Sequence, residues 1–254
     1  MTSAILVTGG TGMLGSLVVP LLRDAGREVR VLSRHAHEPG DGIEYVACDL
    51  LKGEGIEAAL DGIETILHLA GGLKGDDQAT RNLVQSASEA GVRHLVYISV
   101  IGADRVSIGW FRSKLSAERV VADSGFPWTT LRAAQFDDLV LTLAQKIAKM
   151  PVIPAPSAIR LQPVDASEVA ARLVELTLDK PAGLVPDLAG PKVYGMAELI
   201  RDYLRARGKH RPIVPVLMPG KAGRAYRAGE NLALQGADVG KLTWEDFLVE
   251  RLGT

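Results

Sequence analysis

The chain has 254 residues, 47% of them hydrophobic and 23% charged, with a formal net charge of −1. That composition specifies a globular protein with a sizeable core, and the balanced charge gives no broad electrostatic reason to bind nucleic acid or anionic lipid. A single cysteine, Cys48, excludes an intrachain disulfide and suits a reducing, cytoplasmic compartment.

In chain order, Met1 leads directly into the apolar residues 4–7 with no basic segment or cleavage site before them, so no signal peptide is expected. No apolar run approaches the roughly 20 residues a bilayer span needs. Short apolar, β-rich runs at residues 4–8, 29–33, 43–47, 65–69, 94–99 and 128–132 read as strands. Helical spacing fills the gaps at 14–25, 77–90, 113–124 and 136–149. Strands apolar on both faces and alternating with helices form a doubly wound parallel sheet, an α/β fold of the Rossmann type. Beyond Met150 the prolines Pro151, Pro154, Pro156 and Pro163 interrupt the pattern. Helices are then expected at 167–178, 196–206 and 243–252, with possible sheet strands at 158–164 and 184–188. The division this predicts is a dinucleotide-binding region over 1–150 and a small, mostly helical substrate region over 151–254, packed on the same sheet as one structural unit.

The first strand runs into Thr8-Gly9-Gly10-Thr11-Gly12-Met13-Leu14-Gly15, which opens an amphipathic helix. Gly9 permits a tight turn out of the strand, Gly12 lets a diphosphate approach the backbone, and Gly15 allows close helix packing. Free amides and the positive helix end then face the phosphates. No Gly-Lys-Ser/Thr closes the loop, so this is not a P-loop. The second strand ends Leu32-Ser33-Arg34, without the acidic residue that holds ribose hydroxyls in NAD sites. Ser33 and Arg34 suit a 2′-phosphate, a charge-assisted contact worth roughly 1.5–3 kcal/mol, so NADP(H) is the expected cofactor. Asp49-Leu50 after the third strand either flanks the adenine or simply caps a turn. Leu69, Ala70 and Gly71 end the fourth strand with small side chains beside which a cofactor can lie.

Elsewhere, five histidines show no set of metal-ligand spacings, and no metal is expected. Asp137 and Asp138 are expected to cap a helix and meet its dipole. Arg201, Arg205, Arg207, Lys209, His210 and Arg211 form a basic run that reads as a solvated face, without the aromatic platform of a nucleic-acid site. Gln135 and Phe136, at a strand's carboxyl end, and Trp110 are candidate substrate-pocket residues.

The glycine turn, Ser33-Arg34, Asp49-Leu50 and Tyr97-Ile98-Ser99 resemble the short-chain dehydrogenase/reductase superfamily in its extended or atypical branch. So do Lys114-Leu115-Ser116-Ala117-Glu118 and the segment Pro163 to Ala170, and Trp244-Glu245-Asp246-Phe247-Leu248 resembles the end of an NmrA-like protein. The resemblance implies NADP(H) binding, with Ser99 and Lys114 beside the cofactor and Lys114 on the nicotinamide ribose. It further implies a tyrosine four residues before that lysine and a serine on the fifth strand. Here Trp110 holds the tyrosine position and Ile101 the serine position. An indole N–H is not a usable acid in water, although hydride transfer itself is the cofactor's chemistry. Two readings follow: an NADPH-dependent reductase of a small carbonyl or quinone compound, or a non-catalytic NmrA-like sensor of the cofactor's redox state. A small-molecule substrate and a monomer or homodimer are expected.

Overall fold

The structure is a computed structural model that describes residues 3–35, 37, 42–72 and 75–253. The chain begins β1 (Ile5–Thr8), α1 (Met13–Asp24), β2 (Val29–Ser33), β3 (Ile43–Ala47), α2 (Ile56–Leu60), β4 (Thr65–His68), α3 (Asp76–Glu89) and β5 (His94–Val100). It continues with α4 (Gly109–Ala122), β6 (Trp128–Ala133), α5 (Asp137–Ile147), β7 (Ile153–Pro156), β8 (Arg160–Leu161), α6 (Ala166–Leu178), β9 (Gly183–Leu184) and β10 (Leu188–Ala189). It ends with β11 (Tyr194–Gly195), α7 (Met196–Ala206), β12 (Ile213–Val216), α8 (Gly220–Ala228), β13 (Asp238–Val239) and α9 (Trp244–Leu252). Two compact units divide it: Met1–Ser99 with Arg112–Leu131 and Ala170–Val185, and Val100–Phe111 with Arg132–Val169 and Pro186–Thr254.

The first unit is the α/β sheet expected from the alternating pattern. Its strands run β9-β6-β5-β4-β1-β2-β3, with parallel register where β1 meets β2 and β4 and where β4 meets β5. All four residues of β1 are buried, which is the burial of a strand covered by helices on both faces. β3 is the edge and is only half-buried. Leu6, Leu32, Ile66, Leu83, Leu95, Ala117 and Val121 share one core cluster. Spacing places Leu14, Val18 and Leu22 on one stripe of α1, and all three are buried.

In the second unit β10 pairs with Ala133 and with β13, β11 pairs antiparallel with β8, and β12 pairs parallel with β7. Its core packs Met196, Leu199, Ile200, Tyr203 and Leu204 of α7 against Trp244, Phe247 and Leu248 of α9. α9 starts on a capping box, with Thr243 Oγ1 accepting from Asp246 N–H at 3.2 Å and Asp246 accepting from Thr243 N–H at 3.0 Å.

Of the interrupting prolines, Pro154 and Pro156 lie inside β7, whereas Pro151 and Pro163 lie outside any strand; Pro215 sits in β12, the partner of β7. A two-stranded ribbon leaves N–H groups that need no ladder partner, so proline is tolerated there. The expected strand at 158–164 shrinks to β8 plus a bridge between Phe136 and Val164. The one at 184–188 separates into β9 and β10.

Candidate cofactor site and buried lysine cluster

The glycine turn is built without room for side chains. Gly9 has φ +69°, a left-handed conformation, and a Cβ there would meet Ala70 N at 2.8 Å. A Cβ on Gly15 would lie 2.3 Å from Gly9 O, and one on Gly10 would lie 2.7 Å from Val31 Cγ1. Gly15 therefore closes the turn on itself, and Gly10, rather than Gly15, sets the approach to β2. Gly12 is the N-cap of α1 and supplies no side-chain cap. The leading amides of Met13 and Leu14 are thus left to an external anion, as helix geometry requires. Thr11, Gly12 and Met13 are exposed, and Leu14 is buried.

At the end of β2, Ser33 is buried, and its Oγ accepts from His35 N–H at 3.2 Å and lies 2.9 Å from His37 Nε2. Arg34 is exposed, and among the described residues no ion pair holds its guanidinium. Asp49 Oδ1 accepts from the N–H groups of Leu51 and Lys52, so this carboxylate caps a turn. Leu50 is half-buried, and its carbonyl accepts from Asn82.

The carboxyl ends of β1 and β4 carry a buried polar chain. Thr8 Oγ1 accepts from Leu69 N–H at 3.1 Å and Ala70 N–H at 3.0 Å. Its own proton therefore goes to His68 Nδ1, 2.6 Å away. Thr80 Oγ1 donates to Asp76 O at 2.7 Å and accepts from His68 Nε2–H at 3.0 Å. These bonds close only if His68 is neutral with its proton on Nε2. Burial drives the same result, lowering its pKa to about 4 against the opposing pull of Asp76.

Asp76, the first residue of α3, carries the next step. Its Oδ2 lies 2.8 Å from Lys114 Nζ, and both side chains are buried. Tyr97 OH lies 3.3 Å from Asp76 Oδ2 and 3.2 Å from Lys114 Nζ, which also reaches Ile98 O at 3.4 Å. Burial and then Asp76 push the Tyr97 phenol well above its usual pKa, so it stays neutral. A Cβ on Gly71 would lie 3.1 Å from Lys114 Nζ. The bare, exposed Gly71 is the face on which this cluster opens.

Among the expected site residues, the structure thus joins Thr8, Leu69, Ala70, Gly71 and Lys114 in one network. Ser99 ends the first unit with its Oγ buried and unpartnered. Ile101 is buried, and its N–H donates to Ala133 O at 3.0 Å. In the second unit Trp110 is half-buried and packs edge-on to Phe111 at 5.1 Å. Phe136 is the N-cap of α5, and the Gln135 amide is buried with neither atom partnered.

Asp137 departs from expectation. It does not cap α5: both carboxylate oxygens are buried without a partner. Burial, then Asp165, Asp138, Glu168 and Glu245, raise its pKa to about 7. Only Asp138 is paired, with Arg251 at 2.6 Å. Asp76, His68 and Thr80 escaped sequence reasoning. The available signal was two polar residues, Thr8 and His68, standing in register at the ends of otherwise apolar strands.

A parallel sheet, an amide-lined turn at the first crossover and small residues at the fourth strand's end define a dinucleotide-binding α/β protein. The chain belongs to the NAD(P)H-binding family, whose sequence profile matches residues 9–179. It is 30% identical over 265 aligned positions to the NAD(P)H azoreductase of Xenophilus azovorans, covering 98% of this chain and 91% of that protein. It is 26% identical over 219 positions to quinone oxidoreductase 2 of Escherichia coli K12, covering 81% and 75%. The crystal structure of an NADPH-dependent quinone oxidoreductase of Escherichia coli complexed with NADPH shares the fold, with TM-score 0.83 at 20% identity over 97% of this chain and 99% of that one. Among the described residues no helix is long and apolar enough to cross a membrane.

Proposed function

We propose that the chain is an NADPH-dependent reductase of a small quinone or carbonyl compound, in the NmrA-like branch of the short-chain dehydrogenase/reductase superfamily. The observation that carries this reading is a Lys114–Asp76 ion pair buried at 2.8 Å against Gly71, which follows β4 at the same carboxyl end of the sheet as the glycine turn that follows β1. Burying such a pair is costly unless its geometry is good, and His68 and Tyr97 in the same network, both shifted by burial, are the kind of groups that concentrate at functional sites. Family membership and the names of the azoreductase and quinone oxidoreductase relatives support the same assignment.

The residues present fit NADPH. A Cβ at Gly9 or Gly15 would fill the cradle that the diphosphate needs. Met13 and Leu14 offer amides, Ser33 and Arg34 take the 2′-phosphate, and Asp49 and Leu50 border the adenine. Leu69 to Gly71 and Ser99 lie along the nicotinamide half, and Lys114 holds its ribose. When bound, NADPH supplies a hydride. Recognition of the acceptor falls to Trp110, Gln135 and Phe136, with the substrate region at 151–254.

Replacement of the usual tyrosine by Trp110 favours quinones over simple ketones. Reducing a quinone yields a phenolate-like anion, whose conjugate acid has a pKa of about 10, as tyrosine does. A ketone yields an alkoxide closer to the roughly 15.7 of water, which needs a fuller proton transfer in the transition state than the quinone's anion does. Anaerobic NADPH oxidation, measured over a panel of benzoquinones, naphthoquinones and aldehydes, tests this. Turnover with quinones and at most a hundredth of that rate with aldehydes is expected; no turnover with any acceptor would refute the reading. The same Trp110 favours a second reading, a redox sensor. It would be supported by absent turnover together with unequal affinities for NADP⁺ and NADPH.

A further inference from the structure

We infer that Lys114 Nζ is the group that gives the reduced acceptor its proton, and that Asp76 is the positioning residue that holds this ammonium against Gly71. The inference rests on the reductase reading and supplies the acid that Trp110 cannot.

Three buried groups of the cluster, His68, Tyr97 and Lys114, could carry the proton, and Lys114 is the one beside Gly71. His68 is neutral, with Nδ1 accepting from Thr8 and its single proton on Nε2 committed to Thr80. Tyr97 donates its hydroxyl proton to the Asp76 carboxylate and accepts from Lys114, and burial raises its pKa well above the usual phenol range, which makes it a poor acid. Lys114 remains. Of its three N–H bonds one is strong, to Asp76 at 2.8 Å, and two are long, to Tyr97 OH at 3.2 Å and Ile98 O at 3.4 Å. A developing oxyanion competes easily with the long ones.

The balance is simple. The acceptor gains a hydride from NADPH and a proton from Nζ, leaving NADP⁺ and a neutral lysine amine. Water then returns one proton to Nζ. Asp76 is fixed for this duty by its backbone carbonyl, which accepts from Thr80, itself held by His68. It counter-charges the ammonium without contacting the acceptor.

Chemical rescue tests the proton assignment. Lys114→Ala is expected to lose at least a hundredfold in kcat with a saturating naphthoquinone. Added ethylammonium should restore at least tenfold, and tetramethylammonium, which has no proton to give, should restore nothing. Equal rescue by both cations, or none by either, would overturn it. For Asp76→Asn the alkaline limb of the kcat–pH profile should move down by at least one pH unit, with KM for the quinone changed less than threefold. An unmoved limb would overturn the positioning role.

NADPH affinity gives a readout independent of turnover. Lys114→Met should weaken binding at least tenfold in the wild-type background and less than threefold in Asp76→Asn. Additive effects would contradict the positioning role. Wild-type chain that binds NADPH but reduces no quinone would overturn the reductase reading and the proton assignment together. Turnover that survives in Lys114→Ala would overturn the proton assignment alone.

Discussion

Thr8 Oγ1 donates to His68 Nδ1 at 2.6 Å, joining the residue that enters the glycine turn to the one that ends the neighbouring strand. Because Thr8 also accepts from Leu69 and Ala70 N–H groups, this hydroxyl fixes the backbone on which a dinucleotide is expected to lie. Nucleotide turn and lysine cluster are therefore one buried hydrogen-bonded unit.

That unit should make stability depend on pH in a defined window. His68 drops from 6.5 unfolded to about 4 folded, so between those values the unfolded chain binds more protons. The stabilisation is complete above pH 6.5 and is lost as pH falls toward 4, by about 3 kcal/mol in all. His94, lowered by burial, acts in the same direction. Urea unfolding of wild type and His68→Asn should differ by about 2–3 kcal/mol more at pH 7.5 than at pH 4.5. A difference independent of pH would contradict the neutral Nε2–H assignment.

Asp137 should behave in the opposite sense. Its carboxyl rises from 3.8 to about 7, so the folded chain holds a proton that the unfolded chain has released, and stability falls as pH rises through that interval. Asn cannot ionise. Asp137→Asn is expected to be more stable than wild type by roughly 2–4 kcal/mol at pH 8 and equal to it near pH 3.5. Destabilisation at pH 8 would show that the carboxylate has a partner when folded.

Close packing at the turn predicts a rescue. Gly10→Ala forces a methyl to within 2.7 Å of Val31 Cγ1, and overpacking of this kind costs about 1–3 kcal/mol. Val31→Ala in the same chain removes the obstructing methyls. The double variant should recover most of the melting temperature and NADPH affinity that Gly10→Ala loses; a double variant worse than either single one would refute the contact.

Much of this was legible in the sequence because strand burial and glycine placement leave local marks. Residues 29–33 and 43–47 mark β2 and β3 to the residue, since continuous or alternating apolar runs end at polar loops. The glycine turn announced itself by its place between strand and helix. What stayed hidden depends on distant pairing. Asp76 looks like any acidic residue at a helix start, and only the fold brings it to Lys114, 38 positions away by number (114 − 76). Ile56–Leu60 is too short for a helical period to emerge. Asp137 read as a cap because the residue type fits, whereas burial of both oxygens is decided by the packing around α5.

Arg34 offers the most direct test of the central claim, that the first crossover is an NADP(H) site. Fluorescence titration should show NADPH binding at least tenfold more tightly than NADH to the wild-type chain, and Arg34→Ala should remove that preference while changing NADH affinity less than threefold. Equal affinity of the wild-type chain for the two nucleotides, or no binding of either, would contradict the account.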